Sequence, residues 1–229
     1  MTDIRTELTK HNLAVLGWFV FDQDLVLPTR KDLLGCGGIL VGNFGPKMWR
    51  SFKVSPEYAD ALDDSMNRWT KRILDDVGQL GQAIEVLYPF DRPFWPFQRI
   101  LSAATGAKQS PVGQYIHPVY GLWHAVRGVF VYNSVREIDN IINCLPKERE
   151  YLNHPCDVCK DKPCLTACPV GAFDDTSLNV ETCHTHLASG EEPDCLTLGC
   201  RARGACPVGE EHVYDSDQIQ FHMGAYFAR

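Results

Sequence analysis

Eight of the chain's ten cysteines fall between Cys156 and Cys206. The first run reads Cys156-x2-Cys159-x4-Cys164-x3-Cys168-Pro169; after a lone Cys183, the second reads Cys195-x4-Cys200-x5-Cys206-Pro207. Thiolate sulfur is a soft ligand that selects zinc, copper(I) or iron–sulfur clusters. Four thiolates hold one 4Fe-4S cluster, and close spacing lets one loop wrap around several irons. Eight thiolates therefore serve two such clusters with none left over. Proline after Cys168 and after Cys206 fixes φ and removes a donor, so the chain leaves each ligand in a set direction. Gly171, Ala172 and Gly209 are small enough to bring backbone close to an inorganic core. Two other chemistries use the same residues. A zinc site is invited by Cys183-His184-Thr185-His186, and a disulfide framework needs an oxidising compartment. Neither accounts for two Cys-Pro runs with small residues behind them, so the spacing predicts two 4Fe-4S clusters and an electron conduit.

In two-cluster ferredoxins the cysteine before proline serves the other cluster. A crossover of that kind assigns Cys156, Cys159, Cys164 and Cys206 to one cluster. It leaves Cys168, Cys183, Cys195 and Cys200 for the other. The x4 gap holding Lys160 to Pro163 departs from the bacterial ferredoxin run, which leaves the pairing by cluster open. Cys36 and Cys144 sit in apolar surroundings and read as small buried hydrophobes.

Composition limits what these ligands can belong to. A chain of 229 residues, 45% apolar, describes one or two globular domains. No run approaches the ~20 apolar residues that span a bilayer, and Met1 to Glu7 lacks a basic stretch leading into an apolar core, so it does not read as a signal peptide. Reduced thiols without an export signal point to the cytoplasm. The net charge of −7 lies in the cysteine-rich part: residues 146–229 carry seven Lys/Arg against fourteen Asp/Glu, and residues 1–145 carry fifteen of each. Nucleic-acid binding needs the opposite sign. An acidic face suits docking to a basic external electron donor, or serves only to keep the protein dissolved.

The elements that must position the cysteines follow from periodicity. A helix over about residues 3–11 leads to an apolar strand, Leu13 to Phe21, and a second strand spans Gly38 to Asn43. Leu62, Met66, Trp69, Ile73, Val77 and Leu80 recur at three- and four-residue steps and predict one helix from Pro56 to about Leu80. Ala83 to Leu87 reads as a strand. Tyr88 to Phe97, with three prolines and five aromatics, is neither helix nor central strand. It is either a turn with its aromatics tucked onto the core or a loop lining a planar ligand. A helix from Phe97 to Thr105 ends at Gly106, and Val129 to Tyr132 is a strand. Residues 133–155 read as a connection between two domains, 1–145 and 146–229. The alternation of strands and helices, without a Gly-x-Gly-x-x-Gly run, predicts an α+β or α/β fold with no Rossmann dinucleotide site.

The segment His117-Pro118-x2-Gly121-x-Trp123-x3-Arg127-Gly128, with the Gly17-Trp18 and Ile39-Leu40-Val41 strands and Arg92-Pro93, resembles the CblC-type cobalamin-processing proteins. The likeness covers about residues 12–132. It implies an α+β, nitroreductase-like cobalamin-binding domain in which His117, Gly121, Trp123, Arg127 and Gly128 contact the corrinoid, with Arg127 gripping a carboxylate or propionamide oxygen. Taken alone, the same residues are also readable as a satisfied turn histidine, a core tryptophan and half of an ion pair. The cysteine-rich tail, in its order of Cys168, Cys183 and Cys206, resembles the ferredoxin-like domain of epoxyqueuosine reductases and reductive dehalogenases. Together these resemblances imply an oxidoreductase in which two 4Fe-4S clusters reduce cobalamin and remove its upper axial ligand. Alternatives within the same resemblances are a cobalamin-dependent reductase of a small organic substrate, FMN in place of cobalamin, and a corrinoid carrier without catalysis. His222, near the C-terminus, is a further residue placed to face such a cavity.

Overall fold

The computed structural model describes residues 3–143, 154–174, 177–191 and 194–228. Cys144 and most of the expected connection lie outside the described residues. Six strands are present: β1 (Ala14–Val20), β2 (Gly37–Phe44), β3 (Glu85–Leu87), β4 (Lys108–Gln109), β5 (Tyr115–Ile116) and β6 (His124–Tyr132). The chain divides into two compact units. One comprises the described residues of Met1–Gly106 and Ala125–Glu150, and the other those of Ala107–His124 and Tyr151–Arg229.

The first unit is built on a four-stranded sheet in the order β1-β2-β6-β3. β1 and β2 are antiparallel, with Ala14 opposite Gly42 and Trp18 opposite Ile39, and the register shifts between Val15 and Gly17. Seven of the eight β2 residues are buried, as expected of a central strand covered on both faces. Five helices accompany the sheet: α1 (Ile4–Lys10), α2 (Lys47–Lys53), α3 (Pro56–Ala59), α4 (Ser65–Leu80) and α5 (Phe97–Thr105). α5 ends at Gly106 in the left-handed conformation, which glycine adopts without steric cost. The carbonyl of Ala104 packs onto β1 at Gly17, where a Cβ would come within 2.0 Å of the oxygen.

The single helix expected from Pro56 to Leu80 is instead two. Ala61 and Asp64 take positive φ, and the break is held by Arg68, whose guanidinium bonds the Asp60 carboxylate and the Leu62 carbonyl. Leu62, which fits the apolar stripe, lies in the break and is 64% exposed, while Met66, Trp69, Ile73 and Val77 are buried. In the proline-rich turn the Tyr88 and Trp95 side chains are buried. Tyr88 donates to Asp75 (2.6 Å) and stacks on Phe90. Trp95 meets Phe21 edge-on. Beyond β6, a 3-10 turn (Val135–Ile138) and α6 (Asp139–Ile142) bury Ile138 and Ile141, so the start of the expected connection is packed structure.

The second unit joins a β4–β5 hairpin to short helical turns. These are α7 (Pro155–Val158), α8 (Pro163–Thr166), α9 (Val180–Ser189), α10 (Cys195–Leu198), α11 (Arg201–Gly204) and α12 (Ser216–Phe227). Its core is Val112, Ile116, Leu122, Ala202 and Cys206, with Cys156, Cys164, Cys168 and Cys200 packed against it. Ala107–His124, which the sequence reading placed in the N-terminal domain, therefore supplies apolar side chains to the cysteine-bearing unit. Among the described residues no helix is long and apolar enough to cross a membrane.

Candidate functional site

Each cysteine is set by a turn that its own neighbours dictate. Pro155 and Pro163 occupy first-turn positions of α7 and α8, where their fixed φ suits a helix start. Cys156 and Cys164 follow directly, and Cys159 caps α7. Asp194 caps the first turn of α10, where its carboxylate takes the Leu196 and Thr197 N–H groups and so fixes Cys195. Gly199, at φ +86°, turns the chain from α10 to Cys200.

The eight thiols fall into two groups. Cys156, Cys159, Cys164 and Cys206 line one small cavity of about 20 Å³, walled by Val112, Ile116 and Leu122. Burial, then the neighbouring Cys206, Cys164 and Cys159, push the Cys156 thiol up to about 11. Cys206 is raised by burial, then by Cys164 and Cys159. In the other group, burial raises Cys183, and Cys200 and Cys168 add to it. Burial likewise raises Cys195, with further push from Cys200, Cys168 and Cys183. Cys206 thus stands with the first run and Cys168 with the second, the same membership as a ferredoxin crossover. Among the described residues no three His, Cys, Asp or Glu side chains converge on a point where a single metal ion would sit. A cubane makes a different demand, because each of its four irons takes its own thiolate and the sulfurs ring a void instead of meeting.

Several donors suit an electron-rich group ringed by these sulfurs. The Ala172 N–H donates to Cys168 Sγ (3.3 Å). Backbone N–H groups also act on Cys206 from Val208, on Cys200 from Ala202 and Arg203, and on Cys195 from Arg201. Around the second group, Trp123 Nε1, Arg203 Nε and the Tyr226 hydroxyl are buried with no acceptor at hydrogen-bond distance among the described residues. Cys183 is the acceptor that acts on Tyr226. Surplus donors of this kind are costly unless something negative completes them, and thiolate-bound sulfide clusters are negative.

A second cavity, about 420 Å³, opens beside the second group. Trp123, Phe173, Leu178, Ile219 and Met223 give it apolar walls, Cys183 and Cys200 reach it, and Gln114, Arg203, His222 and Tyr226 are its polar side chains. Arg203 is its cation. The guanidinium lies over the Trp123 ring (4.2 Å) and the Tyr214 ring (4.9 Å), and Nη2 donates to the Leu122 carbonyl (2.6 Å).

The five residues singled out for a corrinoid are divided between the units. His117, Gly121 and Trp123 belong to the second; Arg127 and Gly128 belong to the first. His117 Nδ1 accepts the N–H groups of Val119 (3.0 Å) and Tyr120 (3.2 Å), which places its proton on Nε2. Burial, then His124 and His212, lower it to about 3. Gly121 meets backbone, since a Cβ there would lie 1.7 Å from the Val208 carbonyl oxygen. Arg127 Nε donates to Asn43 Oδ1 (2.8 Å), and Nη1 lies 2.9 Å from Met66 Sδ. A Cβ on Gly128 would come within 2.8 Å of Leu74. Of these five, Trp123 lines the larger cavity, as does His222. Arg203, Tyr214 and Tyr226 escaped the sequence reading. The available signal was an arginine inside the Cys200-x5-Cys206 loop.

No family model matches the chain, and no curated protein matches it. Among solved structures, the chain is similar to a B12-trafficking protein of C. elegans, CblC, a homologue of human MMACHC. The TM-score is 0.52 at 15% identity, over 96% of this chain and 88% of that one. At this identity the likeness is one of fold: a mixed α and β architecture shared across nearly the whole chain.

Proposed function

We propose that this chain is an iron–sulfur oxidoreductase whose substrate is a corrinoid, which it reduces and strips of its upper axial ligand. The observation that carries the reading is the sorting of eight buried thiols into two groups of four, in a chain folded like a B12-trafficking protein. When bound, two 4Fe-4S clusters supply electrons one at a time, drawn from an external donor. The chain's own contribution is specific. Cys156, Cys159, Cys164 and Cys206 hold one cluster, and Cys168, Cys183, Cys195 and Cys200 hold the other. The N–H groups of Ala172, Val208, Ala202 and Arg203 stabilise ligand sulfur. Apolar side chains, Val112, Ile116 and Leu122, keep water from the first group. His117, Gly121, Trp123, Arg127 and Gly128 remain the residues assigned to the corrinoid by resemblance, with FMN as the alternative occupant.

Anaerobic purification with iron and sulfide counting, followed by titration with hydroxocobalamin and separately with FMN, tests the reading. About eight irons and eight sulfides per chain are expected, with an absorbance change on adding cobalamin. Zinc in place of iron, or a cobalamin spectrum left unaltered under reduction, overturns it.

One observation favours a second reading, in which cobalamin stays bound and a small organic molecule is reduced. The 420 Å³ cavity is of a size that takes a small ligand and is smaller than a whole corrinoid. Steady turnover of an added organic acceptor at substoichiometric cobalamin would decide for it.

A further inference from the structure

The two thiol groups sit in unequal electrostatic surroundings. Beside the first group stand two carboxylates, Asp157 acting on Cys156 and Glu210 acting on Cys206. Lys162 is the cation there, acting on Cys164. Its cavity is small and apolar. The second group has the reverse. The Arg203 guanidinium acts on Cys200, which also takes the N–H groups of Ala202 and Arg203. Tyr226 acts on Cys183, and the Ala172 N–H reaches Cys168. Among the strongest influences on Cys183, Cys195 and Cys200 no carboxylate appears. Arg203 is also fixed in place, clamped between the Trp123 and Tyr214 rings and tied to the Leu122 carbonyl.

Positive charge, hydrogen bonds to sulfur and solvent access all favour the reduced, more negative state of a cluster. We propose that Arg203 and Tyr226 hold the cluster at Cys168, Cys183, Cys195 and Cys200 at a higher reduction potential than the cluster at Cys156, Cys159, Cys164 and Cys206. The inference rests on the two-cluster reading. Its consequence is an order: an electron on the chain resides by preference at the group beside the 420 Å³ cavity. That cavity is where the larger solvent-accessible volume, Arg203 and Tyr226 coincide. Arg203 and Tyr226 are positioning residues here, acting through the ligand sulfurs.

An anaerobic redox titration of the holoprotein, followed by EPR, reads the two midpoint potentials directly. The first-group wave is identified as the one that Asp157→Asn or Glu210→Gln moves upward. Arg203→Met and Tyr226→Phe should each lower only the other wave. For Arg203→Met the expected effect is a tenfold smaller reduced-to-oxidised ratio at a fixed applied potential, equivalent to 59 mV for a one-electron couple. Arg203→Lys, which keeps the charge, should restore most of the loss. Tyr226→Phe removes one hydroxyl and guards against a folding defect in Arg203→Met. The proposal falls if the wave moved by Glu210→Gln proves the more positive, or if Arg203→Met and Tyr226→Phe leave both potentials in place. Absence of iron from the purified chain would instead sink the two-cluster reading itself.

Discussion

Gly121 presses its backbone against Val208, two residues beyond Cys206, so closely that a Cβ on the glycine would lie 1.7 Å from the valine's carbonyl oxygen. The contact is reciprocated, since a Cβ on Gly209 would come 2.5 Å from the Tyr120 carbonyl carbon. Both glycines have positive φ, +58° and +74°. The turn after β5 and the turn after Cys206 therefore cross backbone on backbone.

Gly121→Ala must both strain φ and displace that crossing. It should destabilise by about 3 kcal/mol, read from denaturant unfolding. Gly113→Ala, at φ +78° but facing open space, carries the strain without the clash and should cost about 1 kcal/mol. Equal losses in the two variants would show that conformation, and not the crossing, dominates at Gly121.

Acid should destabilise the turn through His117 and His124. Burial lowers them to about 3 and about 4, against about 6.5 in the unfolded chain. Below pH 6.5 the unfolded chain therefore takes up protons that the folded one refuses, and stability falls as pH drops toward 4. The loss between pH 7 and pH 5 should be on the order of 1–2 kcal/mol for each histidine. Thermal unfolding of His117→Gln should show a shallower decline over that window than the parent. Parallel curves would mean that His117 does not carry the proton linkage.

Arg127 and Asn43 form a buried pair within the first unit. Asn43 is fully buried, and its Oδ1 takes the Arg127 Nε–H at 2.8 Å. Arg127→Met leaves that oxygen without this donor and should cost about 1–3 kcal/mol. The wild-type unfolding midpoint retained in Arg127→Met, together with weakened cobalamin binding, would assign Arg127 to the ligand and not to the sheet.

How much of this was legible depends on the range of the cause. β1, β2 and α5 follow from local runs, and Gly106 announces its helix end because only glycine takes that φ freely. The break before α4 was hidden because Leu62 keeps the apolar spacing. What opens the chain there is Arg68 collecting Asp60 and the carbonyls before it, a contact eight residues long that periodicity does not report. Cysteine spacing told the ligand chemistry, yet the membership of each group depends on Cys206 and Cys168 meeting residues tens of positions away. Arg203 and Tyr226 carry no motif at all, and their importance comes only from what they stand beside.

Because Ala107–His124 lies in sequence between β3 and β6 yet packs with the cysteine-bearing chain, the second unit is not a detachable tail. A gene cut at residue 146 would yield a fragment lacking Val112, Ile116 and Leu122, which wall the first thiol group. Any ancestral splice between a sheet-bearing protein and a ferredoxin-like one had to be accommodated on both sides of the join, with an internal loop reshaped to serve as lining for the newcomer.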